Sequence, residues 1–366
     1  MSLSVGIVGL PNVGKSTLFT ALTKNEVLIA NYPFATIDPT VGVVAVPDSR
    51  LQTLSSISNS EETIPAVIEF VDIAGLVKGA SAGEGLGNKF LANIRETDMI
   101  AEVVRIFEDS DIHHVSGGVD PMGDIEVINL ELIMADGETV SKRLGTLERE
   151  VRTGNKEAAA LKALLERVLP HLEAGQLANS LEMSAEEKKL IKGLHLLTMK
   201  QFLYICNKKQ DSFNLDEQSD ERWTELLEFF EKTGSEYVIV DAGMEHELRD
   251  LGDEEKTEFR REYGAQDSGV ESLIRACYRR LGLMSYFTTG EKETRAWTVP
   301  IGSTGPEAGA AIHTDFKDKY IRAQVVAFDD LVAAGTKAIA RDTGKLRTEG
   351  KEYIVRDGDV IEFLHS

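Results

Sequence analysis

Near the start of the chain, Gly9-Leu10-Pro11-Asn12-Val13-Gly14-Lys15-Ser16-Thr17 sets two glycines, a lysine and two hydroxyls in the spacing Gly-x-x-x-x-Gly-Lys-Ser. A stretch of this kind cradles a polyphosphate. Gly9 and Gly14 remove the Cβ atoms that would hold the main chain away from the phosphates. The amides of Val13, Gly14, Lys15, Ser16 and Thr17 point inward, and the helix that follows adds positive charge at its N-terminus. Lys15 reaches the β and γ phosphates, so it counts as a catalytic candidate as well as a binding one. The Ser16 hydroxyl is the first candidate ligand for Mg2+. The motif has this meaning only between a strand and a helix. Residues 5–9 are a short apolar run and residues 15–22 have helical spacing, so the context is met.

The metal needs a second element. Phe70-Val71-Asp72-Ile73-Ala74-Gly75 reads as an apolar strand ending in Asp-x-x-Gly. Asp72 is placed to hold Mg2+ through water, and Gly75 lets its amide approach the γ phosphate. Between the two motifs lies Asn31-Tyr32-Pro33-Phe34-Ala35-Thr36-Ile37-Asp38-Pro39-Thr40. A threonine there can give its hydroxyl to Mg2+ while the γ phosphate is present and then release it. Thr36 is the first choice and Thr40 the reserve, with an ordinary Pro-bounded turn as the alternative. Residues 75–87 contain five glycines and read as a switch loop ordered by nucleotide.

These groups need a scaffold. Strand-like runs at residues 5–9, 41–46, 65–72, 98–107, 200–207 and 236–241 alternate with helical stretches, which predicts an α/β fold with a mostly parallel sheet covered on both faces. Residues 125–147 and 158–172 change character, with narrow apolar stripes among many charges. Pro170 and Gly175 punctuate the second stretch, and Ser184-Ala185-Glu186-Glu187 is a helix start. This part reads as an inserted helical hairpin, coiled and projecting; the alternative is a helical core packed on its parent domain. From residue 283 onward, strand-like runs at 298–301, 320–328 and 353–363 and a helical piece at 329–333 make a small α+β domain. The division expected is a phosphate-binding domain over 1–125 and 198–282, the helical insertion over 126–197, and the α+β domain over 283–366.

The 366 residues are 42% hydrophobic and 28% charged, the balance of a globular protein. No apolar run approaches the ~20 residues of a membrane helix, and residues 1–8 lack the marks of a signal peptide. Cys206 and Cys277 lie in apolar surroundings without metal-ligand spacing, as expected of buried thiols in a reducing cytoplasm. The net charge of -21 argues against general DNA binding and against an anionic membrane surface, while leaving room for a local basic patch. Residues 283–366 carry 11 Lys and Arg against 13 Asp and Glu, so that end is the least hindered electrostatically.

The motifs resemble those of the translation-factor-related P-loop GTPases, and within them the Obg group. Asn31-Tyr-Pro-Phe-Ala-Thr36 is similar to that group's first switch, and Asp72-Ile-Ala-Gly-Leu-Val-Lys-Gly-Ala80 to its second. Asp111-Ile-His-His-Val-Ser-Gly-Gly-Val-Asp-Pro121, Ala340-Arg-Asp-Thr-Gly-Lys-Leu-Arg-Thr-Glu-Gly350 and Val355-Arg-Asp-Gly-Asp359 resemble one branch, the YchF or Obg-like ATPase family. The resemblance spans all three segments. It implies a P-loop G domain, an inserted coiled-coil domain and a C-terminal TGS domain of β-grasp shape. It also implies ATP preferred over GTP, and a ribosome or ribosomal subunit as partner. Ras-like enzymes carry a Gln after Asp-x-x-Gly to orient the attacking water; here Leu76 stands there, which implies slow intrinsic hydrolysis unless another group serves. Asn12 occupies the place where related proteins hold K+, a cation that would supply the charge of an arginine finger. His114 is the second candidate, able to reach the water from its loop; the alternative for it is a solvated loop histidine.

Base choice stays open at this level. The guanine pattern is Asn-Lys-x-Asp, and the ATP-preferring branch has Glu at the last place. This chain has Asn207-Lys208-Lys209-Gln210, with a Gln amide that both accepts and donates. Asn207, Lys208 and Gln210, with the backbone of Ala242 and Gly243, are the expected base-side residues. The resemblance favours ATP. A GTP-preferring or dual-specificity switch is one alternative, and a ribosome- or RNA-binding module with incidental hydrolysis is the other. A metabolic kinase would need a lid with arginines, and residues 31–40 hold none.

Overall fold

The computed structural model describes residues 3–23, 40–73, 86–109, 118–262 and 268–365. Thr36, Gly75, Leu76 and His114, with most of both switch stretches, lie outside the described residues.

The chain begins β1 (Ser4–Val8), α1 (Lys15–Thr23), β2 (Val41–Ala45), α2 (Ser49–Ser58), β3 (Glu62–Ile64), β4 (Val67–Asp72), α3 (Leu86–Glu96), β5 (Met99–Arg105) and β6 (Phe107–Glu108). Two long helices follow, α4 (Pro121–Arg152) and α5 (Lys156–Glu173), then α6 (Ala185–Ile191). The chain re-enters the sheet with β7 (Gln201–Lys208), β8 (Phe213–Asn214), α7 (Glu221–Thr233), β9 (Glu236–Asp241), α8 (Ala242–Leu248), α9 (Asp253–Glu262) and α10 (Gly269–Arg280). It ends with β10 (Leu283–Thr289), β11 (Glu293–Pro300), α11 (Gly305–Ile312), α12 (Asp315–Lys319), β12 (Tyr320–Ala327), α13 (Phe328–Ala334), α14 (Lys337–Asp342), β13 (Arg347–Glu349) and β14 (Asp359–His365).

The first sheet has the order β2-β4-β1-β5-β7-β9. Every neighbouring pair is parallel except β2 with β4. Parallel strands covered by helices on both faces are apolar throughout, and every residue of β5 is buried. Two charges, Glu102 and Arg105, interrupt that strand.

The helical insertion has two footings. Asp120 caps α4 by accepting from the Gly123 amide at 3.0 Å, with Pro121 in the first turn. The first half of α4 gives Ile125, Ile128, Leu132 and Ala135 to the core of the parallel sheet. Its second half gives Val140 and Leu147 to a separate core with Ala158, Leu164, Leu165, Val168 and Leu172 of α5. The far part is therefore a hairpin with an interior of its own. Asp136 closes the base, accepting from the Leu197 amide at 2.9 Å and from both the amide and hydroxyl of Thr198. Pro170 does not end α5, which continues to Glu173; the stop comes at Gly175, which has φ +75°. A proline one turn from the end removes a single helical hydrogen bond, which the helix tolerates there.

The C-terminal segment forms a mixed sheet in the order β13-β12-β14-β10-β11-β3. One face packs with Ala308 of α11 on Met284, Tyr286, Val325 and Ile361. The other face puts Phe287, Ala296, Val326 and Val360 into the same core as the parallel sheet. Two features depart from expectation. The strand expected over residues 353–363 begins only at Asp359. Before it, the Asp359 carboxylate takes the Tyr353 hydroxyl at 2.6 Å and the Arg356 amide at 2.9 Å, holding the chain in a turn with Gly358 at φ +85°. The sheet's edge strand, β3, comes from residues 62–64, within the stretch expected to belong to the phosphate-binding domain, and pairs parallel with β11.

Candidate functional site

The loop between β1 and α1 fixes the site. Gly14 has φ +99° and Asn12 φ +65°, conformations that glycine and asparagine adopt most readily. A Cβ on Gly14 would run into Asn207 Nδ2, and one on Gly9 would lie 2.7 Å from the Val103 carbonyl. The loop therefore has no room for side chains at either glycine. Helix α1 starts at Lys15, with the Leu18 amide donating to the Gly14 carbonyl at 3.0 Å. Its first free amides lie beside Lys15, Ser16 and Thr17. The Ser16 side is exposed, whereas Lys15 is only 8% exposed.

Lys15 donates from Nζ to the Leu10 carbonyl at 2.7 Å. Burial lowers its pKa to about 8, and the Asp72 carboxylate opposes that shift. Asp72 ends β4 in register with Ile7, and its amide donates to the Thr40 carbonyl at 2.8 Å. Its carboxyl is pushed above the ordinary carboxylate value by burial, with Lys15 pulling the other way. The two groups feel each other's charge without forming an ion pair. A hydroxyl and a carboxylate at the mouth of an amide-lined loop are hard oxygen donors, which suit Mg2+.

On the base side, Asn207 joins two elements. Its Nδ2 donates to the Val13 carbonyl at 2.8 Å, and its Oδ1 accepts from the Ala242 amide at 3.0 Å. Both ends of this 4%-exposed side chain are thus engaged with the protein. Asn207 positions the phosphate loop against α8, and the Ala242 amide is already used. Lys208 donates to Glu217 Oε1 at 2.9 Å. Gln210 gives its amide to Asp241 Oδ2 at 2.7 Å, while Asp241 Oδ1 caps α8 through Met244. Gln210 is half-buried and Gly243 is exposed. Lys209 pairs with Asp109 and so ties this loop to the end of the β6 strand.

Two residues escaped the sequence reading. Arg222, at the start of α7, donates to Glu108 at 2.8 Å and to the Val119 carbonyl at 3.1 Å, bracketing residues 109–118. Nothing in its local pattern sets it apart from any helical arginine. Glu102 is fully buried and neither of its oxygens has a hydrogen-bond partner among the described residues. A lone Glu within an apolar strand was the signal available for it.

A parallel sheet, a glycine-bounded phosphate loop at a strand end and an aspartate on the neighbouring strand define a P-loop nucleotide-binding protein of the GTPase-like α/β class. The 50S ribosome-binding GTPase family model matches residues 4–133. The C-terminal YchF GTPase family model, described as a protein of unknown function, matches residues 283–366. The chain is 50% identical over 363 residues to the ribosome-binding ATPase YchF of Bacillus subtilis, covering 99% of each chain. It is also 50% identical to that of Escherichia coli O157:H7, covering 100% of this chain and 99% of the other. The structure of the Schizosaccharomyces pombe YchF GTPase superposes with a TM-score of 0.88 at 37% identity, over 99% of this chain and 98% of that one. The chain belongs to the YchF family. No described helix is long and apolar enough to cross a membrane.

Proposed function

We propose that this chain is a slow Mg2+-dependent ATPase that works as a ribosome-associated molecular switch in the cytoplasm. The observation that carries the reading is the full-length likeness, at 50% identity, to proteins named ribosome-binding ATPases. The site chemistry agrees with it. Lys15 takes the β and γ phosphates, aided by the amides of Val13 to Thr17. Ser16, Thr36 and Asp72 (through water) would hold Mg2+, which when bound would neutralise phosphate charge. The Gly75 amide meets the γ phosphate, and His114 orients the water. Asn12 is the K+ candidate, at the exposed side of the loop. Asn207 holds the loop, and Lys208, Gln210, Ala242 and Gly243 border the base.

Of the chain's own residues, Lys15 does the most legible work. Burial makes its ammonium costly in the free protein, so an incoming polyphosphate relieves that cost and raises its proton affinity. A GTP-preferring reading draws on Asn207-Lys208 and on the fission yeast relative, which is named a GTPase. Phosphate release from Mg-ATP, measured in K+ and in Na+, tests the proposal. Turnover that is faster in K+ and lost in Lys15→Ala is expected. Turnover retained in Lys15→Ala would overturn it.

A further inference from the structure

The whole chain carries -21, yet residues 142–162 hold six Lys or Arg against three Glu, a net of +3. This stretch is the outer end of the α4–α5 hairpin. Helix α4 has 32 residues, about 48 Å of rise, so its end stands well away from the acidic remainder. Arg143 is answered by Glu150 at 2.6 Å and Lys162 by Glu166 at 3.4 Å. Lys142, Arg149 and Arg152 are exposed and form no ion pair among the described residues. Positions 142, 145, 149 and 152 fall on one stripe of the helix. Like charges at such spacings weaken an isolated helix, so folding alone does not call for them.

Gly145 lies on the same stripe. A Cβ there would meet nothing within 4 Å, so no packing inside the protein requires a glycine, and glycine lowers helix stability relative to alanine. The missing side chain leaves the helix backbone open to close approach from outside. Thr146 and Thr153 flank the stripe, their hydroxyls donating to the Arg143 and Glu150 carbonyls at 2.8 and 2.7 Å. The apolar residues of the tip, Leu144, Val151 and Leu161, are packed into the hairpin core, so the apolar anchors of a protein–protein contact are lacking.

We infer that the Lys142–Gly145–Arg149–Arg152 face of the hairpin tip docks on the sugar-phosphate backbone of a folded RNA. The inference rests on the reading of this chain as ribosome-associated and names the face that makes the contact. Cations supply phosphate contacts without reading sequence. The acidic remainder repels the same polymer, so the tip is the end that approaches.

The test compares the full chain with a variant carrying Lys142→Gln, Arg149→Gln and Arg152→Gln. A fluorescein-labelled RNA duplex is titrated between about 50 and 200 mM salt. The variant is expected to bind about tenfold more weakly at the lower salt, with the slope of log K against log salt reduced by about 2. Equal affinity and slope overturn the proposal. Gly145→Gln, which raises helix propensity, is expected to weaken RNA binding while leaving ATP affinity unchanged; wild-type RNA binding in that variant counts against the close approach. Co-sedimentation with purified ribosomes tests the underlying reading separately: wild-type protein that fails to pellet sinks that reading, and the RNA titration still decides the tip. A triple variant that loses ribosome pelleting but keeps RNA affinity assigns the tip to an acidic protein surface and overturns the RNA contact.

Discussion

Asn207 carries more of the site than its place in a base-reading motif suggests. It bonds Val13, 194 positions away, and Ala242, 35 positions away, so one buried amide holds the phosphate loop to the start of α8. Replacement by alanine leaves a carbonyl and an amide unpaired, at a cost of about 1–3 kcal/mol each where buried. Asn207→Ala is therefore expected to raise the Kd for ATP by about tenfold or more and to lower Tm, read by calorimetric titration and thermal melting; a drop in Tm with unchanged Kd would separate the tie from the site. Lys15 and Gly14 were legible in the sequence because phosphate-loop geometry is local, with positive φ, a strand end and a helix start within a few residues of one another, and Asp72 because it closes an apolar strand of its own with Asp-x-x-Gly. The pair of hydrogen bonds made by Asn207 was not, because it exists only once β7 lies beside β5 and the phosphate loop.

Among the elements, β5 holds an unusual charge. Glu102 sits in register with Tyr204 of β7 and feels Asp124 of α4, and burial first, then that neighbouring carboxylate, push its pKa well above the ordinary value. In the unfolded chain it titrates near 4.3. Below that pH both states hold the proton and the titration of Glu102 makes no contribution to stability. As pH rises, the unfolded chain releases the proton while the folded protein keeps it, so stability falls toward the raised folded value. Glu102→Gln is expected to melt at a higher temperature than wild type at pH 8, with the gap closing toward pH 4.5. A gap independent of pH would show that Glu102 is charged in the fold. The central strands were readable as short unbroken apolar runs, and the long helices because a period of 3.6 repeats over many residues. Residues 353–358 were misread because Tyr353-Ile354-Val355 has strand composition, while Asp359 gathers the hydrogen bonds that turn the chain.

At the scale of the whole molecule, the C-terminal sheet is joined to the phosphate-binding part rather than tethered to it. Strand β3 adds to its edge, and Arg50 of α2 bridges Asp48 at 2.7 Å and Asp357 at 2.6 Å while lying over the Phe287 ring. The apolar core continues from one sheet to the other. A single cooperative unfolding transition of both sheets is expected in calorimetry, and Arg50→Ala is expected to cost about 1 kcal/mol, since Asp357 is more than half exposed. Two well-separated transitions in the wild type would contradict the shared core. None of this was visible in the sequence, because a three-residue edge strand has no period to read and its partner lies some 230 residues on. Strand β3 and helix α2 lie between β2 and β4 in the chain, so the segment that links two strands of the parallel sheet also adds the edge strand of the C-terminal sheet. The phosphate loop is expected to serve ATP. Displacement of a fluorescent ATP analogue by unlabelled ATP and GTP, with Mg2+ present, tests it most directly. ATP is predicted to displace the probe at about tenfold lower concentration than GTP, a difference of about 1.4 kcal/mol; GTP displacing it at the lower concentration would contradict the account.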